Sequence, residues 1–249
     1  MPVIRQQLEN YIGQLLELGR FRDYCPNGLQ IEGRESIRSI ATAVTASQAA
    51  IDEAIALGAD ALLVHHGFFW KNESPPLVRS KKHRIAALLR HDINLFGYHL
   101  PLDAHPELGN NARLGQLLGL QPTGRTGEQD MVWLGELPEP IQWHEWQARI
   151  DSATGRTCLA IPGRTAVKRV AWCTGGAQSY FHDVAALDVD CYLTGEASEF
   201  VTHLARESGV GFIAAGHHAT ERYGIRALGE HLAKQFELEL HHIEIDNPV

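Results

Sequence analysis

A chain of 249 residues that is 44% hydrophobic and 21% charged has the make-up of an ordinary globular protein, with room for one large α/β domain or two smaller units. It contains no apolar run near the ~20 residues that span a bilayer, and its opening residues lack the charged-then-apolar order of a secretion signal, so a cytoplasmic protein is expected. The net charge of −8 argues against sequence-independent binding to nucleic acid, and four widely spaced cysteines (Cys25, Cys158, Cys173, Cys191) indicate neither a zinc ribbon nor a disulfide framework.

Residues 4–18 read as an amphipathic helix, with Ile4, Leu8, Tyr11, Ile12, Leu15 and Leu16 on one face. The segment 23–33 follows, with Pro26 and Asn27-Gly28 marking a turn, and reads as a surface loop. Residues 37–44 read as a strand, Ser47 as the N-cap of a helix that Gly58 closes, and residues 60–66 as a short buried strand. That strand ends in His65, His66 and Gly67. Side chains alternate along a strand, so the two imidazoles diverge unless the chain turns there, and a glycine favours the turn. A loop to residue 80, a helix over 83–90 and a strand over 93–98 come next, and this strand also ends in a histidine, His99, with Asp103 four residues on. The basic run Lys81-Lys82-His83-Arg84 reads as a solvated helix start.

A short helix begins near Gly109. Residues 121–130 are rich in Pro, Gly, Thr and charge without periodicity, and mark the boundary between two halves, 1–124 and 125–249. Beyond a strand over 132–137, a helix over 141–150 and a strand near 157–161, the second half repeats the first. Arg169 to Thr174 matches the strand ending in Thr45. Ala186 to Glu196 matches Ala56 to His66, which sets Asp190 opposite Asp60 and Gly195-Glu196 opposite His65-His66. A helix over 198–206 leads to the strand 210–215 and then to His217 and Glu221, as His99 and Asp103 follow their strand. A last helix (221–236) and strand (238–245) end the chain. The expected fold class is α/β: two similar, interlocking α/β units with central mixed sheets.

Four strand ends therefore carry ligand-type side chains: His65-His66, His99 with Asp103, Glu196, and His217 with Glu221. A histidine and a carboxylate four apart meet across one helical turn, and imidazole with carboxylate is the donor mix for zinc, iron, manganese or cobalt. The set exceeds what one ion uses. Two divalent ions ~3.5–4 Å apart would be able to share it. Of the 14 histidines, His182, His203 and the pair His241-His242 read as structural. Gly175-Gly176 after a strand is a weak candidate for contact with a phosphate. Cys173 and Cys191 read as small core residues.

The stretches 23–33, 44–47, 58–67, 98–105, 109–111, 193–196 and 215–221 together resemble the GTP cyclohydrolase 1 type 2 homologues, or NIF-three-like proteins, in their short bacterial form. The resemblance implies two metal ions on His65, His66, Asp103, His217 and Glu221, with Asp103 or Glu221 bridging. It leaves His99 and Glu196 beside the ions or at the substrate, as candidate catalytic groups. It also implies a toroidal homo-hexamer, and it draws attention to the loop from Tyr24 to Gln30.

The leading function on these grounds is a metal-dependent hydrolase acting on a nucleotide or other phosphorylated small molecule. The alternative is a metal-binding or metal-homeostasis protein that works through protein partners without turnover. A DNA-associated ring is a third reading, which the charge opposes.

Overall fold

The computed structural model describes residues 2–163 and 166–249. They fall into two compact units, Met1–Gly109 with Gly224–Asp246, and Asn110–Tyr223 with Asn247–Val249. No helix among the described residues is long and apolar enough to cross a membrane.

The first unit is built on three parallel strands, β1 (Ser39–Thr45), β2 (Ala61–His66) and β3 (Asn94–Gly97). The strand Glu239–His242 extends this sheet parallel to β1, and the strand Gly28–Ile31 extends it antiparallel to β3. Alternation along β2 sends Ala61 and Leu63 into one apolar cluster and Leu62 and Val64 into another. Both faces are covered, which is why this strand reads as a continuous apolar run. Leu8 and Ile12 of the helix Arg5–Leu15 join Leu228 and Leu232 of the helix Arg222–Phe236 in the first cluster. Ile51 and Ala54 of the helix Gln48–Ala56 join Ile85 and Leu88 of the helix Arg79–Arg90 in the second. The Ser47 hydroxyl accepts the Ala50 N–H at 3.2 Å, as expected of an N-cap.

The second unit is built on β4 (Ala166–Trp172), β5 (Cys191–Thr194) and β6 (Gly211–Ala214), again parallel. An antiparallel strand, Leu159–Ile161, edges β6. The long strand Val132–Gln142 runs antiparallel to β4 and carries Gln121–Thr126 on its far side. Trp133, Trp146 and Trp172 fill the core of this unit.

The two units repeat one another in backbone detail. Asp60 accepts the Arg38 and Ser39 N–H groups at 2.7 and 3.1 Å, and Asp190 accepts those of Lys168 and Arg169 at 3.1 and 2.9 Å. The Asp60 carbonyl takes the Asn94 N–H at 3.1 Å, and that of Asp190 takes the Gly211 N–H at 3.0 Å. In each case one aspartate at the head of the middle strand ties together its two neighbours.

Two features depart from the sequence reading. The sequence places the division at 124/125, whereas the units divide after Gly109 and the last helix and strand return to the first unit. Pairing of Glu239–His242 with β1 and burial of Leu228 and Leu232 account for that return. The aperiodic stretch 121–130, which the sequence marks as the boundary, contains the edge strand Gln121–Thr126. Its register shifts between Pro122 and Gly124, and an edge strand tolerates both the proline and the break. Its side chains are largely exposed, so it has no apolar alternation to read.

Candidate metal centre

In the first unit, the candidate side chains come from the carboxyl ends of β2 and β3. The backbone turns after His66, and the His65 and His66 rings, which strand alternation alone would separate, come to 4.6 Å between centroids. His99 joins them at 5.1 and 5.9 Å. One ligand atom from each of the three lies within 4.8 Å of the others, so the group can hold a metal ion. Asp103 arrives through the short helix Leu100–Ala104, which the sequence does not announce and which Pro101 helps start.

His65 is fully buried, and its Nδ1 lies 2.9 Å from the Tyr98 carbonyl oxygen. A carbonyl only accepts, so the neutral ring carries its proton on Nδ1 and presents a lone pair at Nε2. That Nε2 faces Asp103 Oδ1 at 3.5 Å, with the carboxylate also buried. Two acceptor atoms turned toward each other without solvent suit a cation, and a ring held through its other nitrogen by a carbonyl is the usual state of a metal-ligating histidine. The residues therefore fit a divalent ion. His66 is tethered through Nδ1 to the Thr45 hydroxyl at 3.2 Å.

In the second unit, His217 opens a four-residue helix and Glu221 follows it. His217 Nε2 lies 3.1 Å from Glu221 Oε2, and its Nδ1 lies 2.5 Å from Glu196 Oε1. Burial alone would lower the His217 pKa. The hydrogen bond and charge of Glu221, then those of Glu196, outweigh it and lift the imidazole to about 9. Glu196 Oε2 is approached in turn by Gln178 Nε2 at 3.5 Å.

Beneath these groups runs the turn Gly175-Gly176. Gly175 has φ +70°, and a Cβ there would overlap the Glu221 carboxylate and crowd His217. A Cβ on Gly176 would touch Glu196 at 3.4 Å. The sequence offers this turn as a contact for a phosphate, but the two carboxylates beside it make it a poor anion cradle. Its glycines instead leave room for Glu221 and His217. Gly175 is further fixed by its N–H on the Thr220 hydroxyl and its carbonyl under the Thr194 hydroxyl, at 3.0 and 3.1 Å.

The structure thus brings together His65, His66, His99 and Asp103 in the first unit, and Glu196, His217 and Glu221 in the second. It adds residues that the sequence leaves in a loop. Asp23 holds His99 Nδ1 at 2.7 Å. Burial would raise the Asp23 pKa, but the hydrogen bond and charge of His99, with donors from Asn27 and Tyr24, bring it down to about 2. Gln30 accepts the Phe68 N–H at 2.7 Å and donates to the Pro26 carbonyl at 2.8 Å, filling space that side chains on Gly67 and Gly97 would occupy. The only sequence signal for either residue is that the loop falls within the family-like stretches.

Each histidine read as structural has a neighbouring partner, and that of His203 is Glu199, 3.4 Å away on the surface. His242 Nδ1 meets the Thr42 hydroxyl at 2.6 Å, His241 lies 3.2 Å from Glu239, and His182 stacks on Phe200 at 4.3 Å. All four cysteines are buried.

Comparison with known proteins agrees with this architecture. A model of the Duf34/NIF3 (NGG1p interacting factor 3) family matches residues 3–248. A Yersinia pestis protein named GTP cyclohydrolase 1 type 2 homolog is 52% identical over 245 residues, covering 97% of this chain and 98% of that one. One of the same name from Pseudomonas aeruginosa is 48% identical over 251 residues, covering all of both chains. Among solved structures, protein ybgI, described as of unknown function, superposes with a TM-score of 0.96 at 50% identity, over 99% of this chain and 100% of that one. A Thermus thermophilus protein does so with a TM-score of 0.89 at 33% identity, over 99% of each chain. HcgD from Methanocaldococcus jannaschii, at 22% identity and a TM-score of 0.85 over 97% of this chain and 98% of its own, shares the fold. The chain belongs to the Duf34/NIF3 family.

Proposed function

We propose that this protein binds two divalent metal ions per chain and is a metal-dependent hydrolase of a nucleotide or other phosphorylated small molecule. The ligands in this reading are His65, His66, Asp103, His217 and Glu221. The observation that carries it is the buried pair in the first unit, where the lone pair of His65 Nε2 faces the Asp103 carboxylate. The names of the Yersinia and Pseudomonas relatives support the substrate class.

A bound divalent pair supplies Lewis acidity at the reacting oxygen. The chain's own residues do the rest. The Tyr98 carbonyl and the Thr45 hydroxyl orient His65 and His66, and Glu196 orients His217. Glu196 is thereby committed to His217, which leaves His99 as the better placed of the two candidate catalytic groups to take and return a proton. Asp103 and Glu221 would supply the carboxylate ligands that hold the ions beside the three imidazoles. A homo-hexamer of cytoplasmic chains completes the proposal, and light scattering of the purified protein tests the oligomer.

The function is tested by assaying protein loaded with zinc, manganese, iron or cobalt against GTP and a panel of nucleotides. Turnover that disappears in Asp103→Ala is expected. Equal rates for wild type and Asp103→Ala would overturn the hydrolase. Tight metal uptake without turnover on any member of the panel would favour the metal-homeostasis alternative.

A further inference from the structure

We infer that Asp23 is a positioning residue for His99, fixing the imidazole with its proton on Nδ1 so that Nε2 is the lone pair His99 brings to its group with His65 and His66. The use of that lone pair as a proton acceptor rests on the hydrolase reading above; the assignment of the proton does not.

The Asp23 side chain is only 4% exposed. Its Oδ1 accepts from the Tyr24 N–H at 2.6 Å and lies 2.7 Å from His99 Nδ1. Its Oδ2 accepts from Asn27 Nδ2 at 2.8 Å and from the Leu100 N–H at 2.9 Å. A carboxylate surrounded this way has no proton to give, so His99 Nδ1 is the donor in its contact. The same turn holds the backbone, because Asn27 Oδ1 accepts the His99 N–H at 2.8 Å. Trp70 closes one side of the ring, edge to face at 4.9 Å. Ring and backbone of His99 are both located by a loop more than seventy residues away in sequence.

Asp23, Cys25 and His99 also have ligand atoms within 4.8 Å of one another. An ion there would have to displace the donors already on both Asp23 oxygens. It would also need the Cys25 thiolate, whose pKa burial and the charges of Asp23 and Asp103 push up to about 12. This corner is a hydrogen-bonded brace, and its output is the orientation of His99.

An Asp23→Asn side chain must turn its amide edge toward one pair of donors. With its oxygen kept for Asn27 and Leu100, the amide faces His99, and Nδ1 has to become an acceptor. The test is long-range proton–nitrogen NMR of metal-free, histidine-labelled full-length protein, at alkaline pH where a free imidazole is neutral. The His99 signals are assigned by their loss in His99→Asn. The Nδ1–H form is expected in wild type and the Nε2–H form in Asp23→Asn. Asn27→Ala, which loosens the same loop without touching Asp23 Oδ1, is expected to keep the wild-type form.

An Nε2–H ring in wild type would overturn the inference, as would the same tautomer in wild type and Asp23→Asn, or reversal in Asn27→Ala. If Asp23→Asn does not fold, the wild-type tautomer and Asn27→Ala decide the matter. A cobalt titration of wild type runs alongside. Absence of cobalt binding there would sink the metal reading while leaving the tautomer result intact.

Discussion

Asp23 gives the sharpest pH prediction. Its carboxylate sits at about 2 in the folded chain against an ordinary 3.8. A depressed folded pKa contributes stability that is fully present above the unfolded value and is lost as pH falls through the folded one, here worth about 2 kcal/mol for so buried a group. Denaturation followed from neutral pH down to about pH 2 should therefore give a shallower acid limb for Asp23→Asn than for wild type; parallel limbs would contradict the assignment. Gly175 makes a steric prediction at the same scale. An alanine there has to adopt φ +70° and displace the Glu221 carboxylate, so Gly175→Ala should lower stability by about 1–3 kcal/mol and weaken metal uptake, measured by thermal melting and metal content. The structure gathers His65, His66, His99 and Asp103, and separately Glu196, His217 and Glu221, and these groupings are legible in the sequence because ligand-type side chains at fixed offsets after apolar strands are a local signal. Asp23 is not, because its partner His99 is distant in the chain and only the sheet brings them together. Gly175 is half legible: a glycine-rich turn declares that something needs room, but not whether that is a phosphate or a neighbouring carboxylate.

Among the elements, the strands ending in ligands are held by paired devices that the repeat makes comparable. Asp60 and Asp190 each accept two consecutive backbone N–H groups from the adjacent parallel strand or the residue leading into it. Asp60→Asn and Asp190→Asn should each cost about 1–3 kcal/mol, measured by urea denaturation, and a large effect at one with none at the other would break the equivalence. The match of Asp60 to Asp190 is legible in the sequence because both lie at the same distance from a strand end rich in apolar residues. The loop carrying Gln30 is not, since the strand Gly28–Ile31 within it is too short and too mixed to show a period. Gln30→Ala removes the acceptor of the Phe68 N–H and should loosen the turn after His66. Faster amide exchange at Phe68, with the centre of β2 unchanged, is the expected outcome; unchanged exchange at Phe68 would deny Gln30 that role.

At the level of the whole molecule, the α/β class and the two-fold repetition follow from sequence periodicity, while the allocation of segments to the units does not. The helix Asn110–Leu117 belongs with the second unit through Leu114, packed in the same core as Trp133 and Trp172. The helix Arg222–Phe236 starts in the second unit and enters the first at Gly224. Such long-range choices depend on which apolar faces match, and the pattern of a single helix does not name its partner. The proposed metal chemistry stands on two ions held per chain by His65, His66, Asp103, His217 and Glu221. Metal content of the purified protein, measured by mass spectrometry after loading and exhaustive dialysis, decides it. Two ions per chain are expected for wild type, with loss of both from either Asp103→Ala or His217→Ala. Wild-type chains that hold a single ion, or a His217→Ala chain that keeps two, would contradict it.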